Sequence, residues 1–229
     1  CCIYLLTKVG NLVVTDRADP VKVSRHLSLV VNYDFRTGDG VLVGNWNAEI
    51  KNGISPSAWL GSMLILQQYY LTKKPVKYAQ CWVYSGVLTT VCRCLGLPSR
   101  PVTNYLSAHD THNSLTVDRI LNEDGELLDQ KTGDSVWNFH TWVESWFKRL
   151  DLSYTGVYDG WQVIDSTPQE PSDGLYRLGP TSVNAIRNGE VLKQYDGTFV
   201  FAEVNADEVF WLKRGDREPF KYLGSNTTM

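Results

Sequence analysis

Cys81-Trp82-Val83-Tyr84-Ser85-Gly86-Val87-Leu88-Thr89-Thr90-Val91-Cys92-Arg93-Cys94-Leu95 is the stretch on which the fold turns. Val83, Val87, Val91 and Leu95 recur every fourth residue, and Tyr84, Leu88 and Cys92 widen the same stripe. That periodicity predicts a helix apolar over much of its circumference, hence buried. Gly96 follows where a left-handed residue ends a helix, and Pro98 prevents continuation. Cys81 falls in the first turn, after Tyr78-Ala79-Gln80. Backbone N–H groups at a helix start lack intrahelical acceptors, and with the helix dipole they favour a thiolate there.

Downstream the period changes to two. Residues 100–105 read as a strand, and 115–121 and 126–129 flank the turn Asn122-Glu123-Asp124-Gly125. In 135–143, Val136, Asn138, His140 and Trp142 alternate with Trp137, Phe139, Thr141 and Val143. Residues 160–165 and 199–204 are two more strand candidates. Upstream, 3–6 and 11–14 are short apolar segments, Asp16-Arg17-Ala18-Asp19-Pro20 is a turn, and 26–33 is a strand candidate. Val41-Leu42-Val43-Gly44-Asn45-Trp46 is another apolar run. Ser55-Pro56 opens a helix that turns Trp59, Leu60, Met63, Leu64 and Leu66 toward a core. The sum is an α+β architecture: a buried helix packed on a mostly antiparallel sheet.

No Pro/Gly/Ser-rich linker interrupts the 229 residues, so 1–229 reads as one domain. It opens on Cys1-Cys2 without an initiator Met and stops in strand-and-turn sequence, so it reads as part of a longer chain. A net charge of −3 gives no basic surface for nucleic acid. No apolar run approaches the ~20 residues needed to span a bilayer. Cys1, Cys2, Cys81, Cys92 and Cys94 are odd in number and clustered. That argues against a disulfide framework and favours a reducing, cytoplasmic setting, with an extracellular one still open. Cys92-Arg93-Cys94 lacks the further ligands of a zinc site and reads as core packing.

Three residues stand out chemically. Cys81 starts a buried helix, His140 sits mid-strand among aromatics, and Asp165 ends an apolar strand. A thiol, an imidazole that takes and returns its proton, and a carboxylate that fixes the imidazole's tautomer make a nucleophilic triad. The Cys81 backbone N–H is a candidate oxyanion donor. Singly, each has an ordinary explanation: an inert core cysteine, a satisfied core histidine, an aspartate capping Ser166-Thr167-Pro168. Spacing alone leaves the choice open, because Cys–His–Asp is a loose pattern.

Longer motifs narrow it. Tyr78-Ala79-Gln80-Cys81-Trp82-Val83 resembles the active-site cysteine segment of the animal-type transglutaminases. Asp134-Ser135-Val136-Trp137-Asn138-Phe139-His140-Thr141-Trp142 is similar to that family's histidine strand. Gly160-Trp161-Gln162-Val163-Ile164-Asp165-Ser166-Thr167-Pro168-Gln169-Glu170 is similar to its aspartate segment. Ser107-Ala108-His109-Asp110-Thr111 and Phe201-Ala202-Glu203-Val204-Asn205 match as well. The resemblance implies a catalytic core of papain-like plan, incomplete at both ends, without the family's flanking β-sandwich and two β-barrels. It implies that Cys81 attacks a peptide-bound glutamine, that ammonia leaves, and that a lysine or polyamine amine resolves the thioester. Trp46 matches the tryptophan credited with oxyanion stabilisation, and Trp46 with Trp137 the pair lining the amine's approach. The family is calcium-activated. Asn205 and Asp207 match two ligands of its principal site, Asp110 and Asp134 a second site, and Asn32 and Asp34 a third. His112 stands where relatives often carry an acid, and Ala79 where they usually carry Gly. A thiol hydrolase using the same triad and a folded but inactive core are the competing readings.

Overall fold

A computed structural model describes residues 1–128, 132–215 and 218–227. Along the chain, a short turn α1 (Cys2–Tyr4) runs into a π-type turn at Leu5–Val9. Then come α2 (Pro20–Val31), β1 (Leu42–Gly44), α3 (Ser62–Thr72), β2 (Val76–Ala79) and α4 (Cys81–Cys94). They are followed by β3 (Ser99–His109), β4 (Thr116–Leu121), β5 (Ser135–Phe147), β6 (Gly160–Asp165), β7 (Pro171–Ser172), β8 (Leu175–Tyr176) and β9 (Leu178–Ser182). The last elements are α5 (Val183–Arg187), α6 (Gly197–Val204), β10 (Asp207–Leu212) and β11 (Lys221–Asn226). The four-stranded sheet has the order β3-β5-β6-β9. The chain divides into two compact units, Cys1–Thr103 with Thr141–Asp196 and Asn104–His140 with Gly197–Met229. Two of the three divisions fall inside β3 and β5 and the third just before α6, so no linker composition marks them.

In the first unit, α4 packs against α2, α3, β2 and β6. Val83, Tyr84, Val87, Leu88, Val91 and Cys92 are all at most 4% exposed, as the stripe requires. Gly96 takes φ +91° just after the helix end, a conformation glycine adopts without strain. β6 runs antiparallel to β5 (Val143↔Ile164) and to β9 (Gln162↔Ser182). β1 runs parallel to β2. Of the strand expected at 26–33, residues 26–31 are instead the second half of α2, and only Asn32 beyond it makes a bridge, to Leu42. Asp19 Oδ1 accepts from the N–H groups of Val21 (2.9 Å) and Lys22 (3.5 Å), and Pro20 opens the first turn. With that start, Leu27, Val30 and Val31 continue a helical stripe from Val23 into the core.

The helix expected from Ser55 begins at Ser62, after a single turn at Pro56–Ala58. The shift rotates the buried face to Ile65, Leu66 and Tyr69 and leaves Leu60, Met63 and Leu64 exposed. Trp59 still packs on the core and donates its indole N–H to the Tyr78 carbonyl at 2.8 Å.

In the second unit, β10 lies parallel to β4 (Asp207↔Thr116 through Leu212↔Leu121) and antiparallel to β11. The turn at 122–125 forms around Asn122, whose Oδ1 accepts from the N–H groups of Asp124 and Glu126. Of the strand expected beyond it, Leu127 bridges to Leu121, and Asp129 lies outside the described residues. The strand expected at 199–204 is helix α6. Phe199, Val200, Ala202 and Glu203 are its buried side chains, at three- and four-residue offsets. A short apolar run does not distinguish strand from buried helix by periodicity alone.

Candidate active site

Cys81 is the first residue of α4 and 2% exposed. Gln80 before it is extended (φ −131°) and supplies no side-chain cap. Its carbonyl accepts from the N–H groups of Val83 (2.8 Å) and Tyr84 (3.1 Å), closing the turn behind the sulfur, and its amide donates to the Asn45 carbonyl at 2.9 Å. Ala79 is fully buried in β2 at negative φ, so its methyl is accommodated where glycine's freedom is not needed.

Trp46 is 44% exposed and stacks on Tyr84, with ring centroids 6.5 Å apart and 12° between planes. Gly44 makes the space: a Cβ there would stand 2.4 Å from the Trp46 ring. Tyr84 donates to Asn32 Oδ1 and to the Leu42 carbonyl, both at 3.3 Å. Its burial, and secondarily the Asp165 carboxylate, push the phenol well above its ordinary range. Asp165 ends β6 at 1% exposure, and its Oδ1 accepts the Thr167 N–H at 2.8 Å. The turn-capping role expected of this aspartate is therefore present, whatever else the carboxylate does. Cys81, Trp46 and Asp165 all belong to the first unit.

His140 and Trp137 belong to the second. His140 is 1% exposed, with the Trp137 ring edge-on at 5.3 Å and 68°. Trp137 also meets His109, which in turn meets Phe199. His140 Nε2 lies 3.7 Å from Glu203 Oε1 on α6. Sequence reasoning missed Glu203. Its signal was a lone acid inside the apolar run 199–204, where a carboxylate is unfavourable without a partner.

The candidate calcium ligands differ in what they already bind. Asn205 is exposed and Asp207 half-buried, and neither side chain is engaged in a hydrogen bond among the described residues. Their oxygens fit a hard cation. Asp110 and Asp134, at 1% and 4% exposure, serve the chain itself. Asp110 accepts from the N–H groups of His112 (2.9 Å) and Leu115 (2.8 Å). Asp134 accepts from those of Thr111 (2.9 Å) and Asp118 (3.0 Å). The third group beside them is His112, with Nδ1 3.4 Å from Asp134 Oδ1. Two committed carboxylates and an imidazole do not make the all-oxygen shell calcium takes. The third pair fits no better. Asn32 Oδ1 holds Tyr84, and the Arg36 guanidinium forks Asp34, holding its carboxyl below the usual range.

A buried helix with cysteine at its first residue, laid on an antiparallel strand that ends in a buried aspartate, is the papain-like plan of thiol-nucleophile enzymes. Comparison with known proteins narrows the class. Residues 64–166 match the model of the Transglutaminase-like superfamily. The chain is 52% identical to annulin of Schistocerca americana over 225 residues, covering 97% of this chain and 29% of annulin. It is 51% identical to human protein-glutamine gamma-glutamyltransferase 4 over 230 residues, covering 100% of this chain and 33% of that protein. The crystal structure of red sea bream transglutaminase superposes with a TM-score of 0.83 at 44% identity, covering 97% of this chain and 34% of that one. Residues 64–166 thus form a transglutaminase-like domain, and the chain spans about a third of the length of these relatives.

Proposed function

We propose that this chain is the core of a calcium-dependent protein-glutamine γ-glutamyltransferase. Cys81, as thiolate, attacks the γ-carboxamide carbon of a peptide-bound glutamine. The C–N bond breaks, and ammonia departs with a proton returned by His140. A deprotonated lysine or polyamine amine then attacks the thioester, the C–S bond breaks, and an isopeptide or substituted amide forms. Asp165 fixes the imidazole's tautomer. The Cys81 backbone N–H and the Trp46 indole N–H receive the oxyanion. Trp46 and Trp137 keep water from the thioester, which lets an amine compete with hydrolysis. Asn205 and Asp207 are the residues that would hold calcium, their side-chain oxygens supplying part of the shell a hard cation takes. The expected substrates are glutamine-containing proteins and amine-bearing partners, with no nucleic acid; among the described residues no helix is long and apolar enough to cross a membrane.

The observation that carries this reading is Cys81 at the first residue of a buried helix in a chain half identical to named transferases. The test is calcium-dependent incorporation of a labelled amine into a glutamine peptide. Wild-type incorporation lost in Cys81→Ala supports it. Hydrolysis of the glutamine or of peptide bonds without amine incorporation turns the assignment to a thiol hydrolase.

A further inference from the structure

We propose that the groove beside Trp46 seats the residues flanking the donor glutamine, and that Lys77 there selects donors with an acidic flank. The occupant rests on the acyl-transfer reading above; the charge preference rests on the groove itself, which lies wholly in the first unit.

The groove encloses about 500 Å³, within the roughly 300–1,000 Å³ of ligand-holding clefts. Asn45, Trp46 and Asn47 after β1, Lys77 and Tyr78 on β2, and Phe35 line it. Its wall is fixed before anything binds. β1 pairs with β2 (Val43↔Lys77), and the Asn45 N–H donates to the Ala79 carbonyl at 3.0 Å. The Asn47 N–H donates to Asn45 Oδ1 at 2.8 Å, and the Tyr78 hydroxyl to the Lys51 carbonyl at 3.0 Å. Such a wall loses little freedom when a peptide binds. The groove is also continuous with the proposed site. Trp46 belongs to both, and Gln80, the residue before Cys81, donates to the Asn45 carbonyl at 2.9 Å. A peptide that presents its glutamine to Cys81 has this groove beside it.

Two kinds of contact are on offer. Phe35 and Trp46, 77% and 44% exposed, present ring surface that a peptide's side chains can cover. Lys77 is exposed, and among the described residues its ammonium meets no carboxylate. No acid among the described residues lines the groove. The acids nearby in sequence are already paired, Asp34 with Arg36 and Glu49 with Lys51. The groove therefore carries one unpaired positive charge. It attracts a carboxylate and repels a lysine or polyamine, which makes this the donor's side of the site and not the acceptor's. The flank takes no part in bond making. Its contact is the same in ground and transition states, so it acts on KM and leaves kcat alone.

The test uses dye-labelled glutamine peptides that are alike except at the positions flanking the glutamine, which carry Glu, Ala or Lys. Binding to Cys81→Ala, which cannot form the thioester, is read by fluorescence anisotropy. The Glu peptide should bind about threefold tighter than the Ala peptide and the Lys peptide weaker than either, with the differences shrinking as salt rises. Adding Lys77→Glu should reverse the order. Lys148→Glu makes the same change in net charge at an exposed lysine that does not line the groove, and it should keep the order. An order that survives Lys77→Glu, that Lys148→Glu reverses equally, or that is absent from the start overturns the proposal. If Lys77→Glu does not fold, Lys77→Gln decides: a lost preference supports the proposal and a kept one overturns it. Amine incorporation by protein with Cys81 intact is measured in parallel. A charge preference in binding without amine incorporation would retire the transferase reading while leaving this one standing. Incorporation at equal KM for all three peptides would overturn this one alone.

Discussion

Gly44 shows how one missing methyl can set a site. The Trp46 ring lies against Tyr84 only because nothing projects from Gly44, where a Cβ would meet the Trp46 ring at 2.4 Å and the Tyr84 hydroxyl at 3.0 Å. Tyr84 is fully buried and cannot yield, whereas Trp46 is half in solvent and can. Gly44→Ala should therefore swing the indole outward and leave the core intact. We expect kcat for amine incorporation to fall by roughly tenfold, with the melting temperature little changed and the tryptophan emission shifted. Unchanged turnover would remove Trp46 from the oxyanion role. Arg149 makes the opposite case, a residue whose importance is structural. It is 0% exposed, and its guanidinium donates to Asp151, to Gln162 Oε1 (2.9 Å) and to the carbonyls of Pro180 (2.8 Å) and Gln194 (2.6 Å). Arg149→Met strands those acceptors, and urea unfolding should show a loss of about 3 kcal/mol.

Among the elements, α2 depends on its first residues. Asp19 caps it, and Asp19→Ala should lower the unfolding free energy by about 1 kcal/mol, read from the urea midpoint at constant slope. The same helix shows why part of the fold was legible in the sequence and part was not. α4 was readable from Cys81 to Cys94 because fourteen residues give the helical period four turns in which to declare itself. In α2, the apolar cluster Leu27, Leu29, Val30 and Val31 looks like a strand once it is separated from Asp19 and Pro20, the two residues that fix the helix start. In α6, the eight residues Gly197–Val204 are too few to separate the periods, and the buried Glu203 was hidden with them. In β5, the alternation fades because Thr141 through Ser145 are all buried, and a strand covered on both faces has no polar side to show. The proposed site residues stood out for a different reason. Cys81, His140 and Asp165 sit in local sequences long enough to carry a family likeness, whereas Glu203 makes its contact through a distant pairing that no local spacing encodes.

At the scale of the whole molecule, the two units differ in how much apolar surface they bury. The first has an extended core running from Leu5 to Ile164 around α4. The second has a small one of Ala108, Val117, Ala202 and Ala206, with Leu115 and Val136 beside it, and its strand β11 is largely exposed. Fewer buried contacts mean cheaper local opening. Amides of β10 and β11 should therefore exchange with deuterium well before those of α4 and β6; equal protection would show that the small core is held by something other than its own packing. The same unit carries the residues on which calcium would act, and its carboxylates divide into two kinds. Asp134 accepts from two backbone amides and the Thr111 hydroxyl and is buried, so it is already part of the fold. Asp207 is half-buried with no hydrogen bond of its own among the described residues. Substitutions should separate these roles. Asp207→Ala should weaken calcium binding by about tenfold or more in calorimetry, with little change in thermal stability in the absence of calcium. Asp134→Ala should do the reverse, leaving the calcium isotherm nearly unchanged and lowering stability by about 1–3 kcal/mol through stranded N–H donors. A calcium isotherm lost in Asp134→Ala and kept in Asp207→Ala would reverse the assignment and make the His112 loop the cation site.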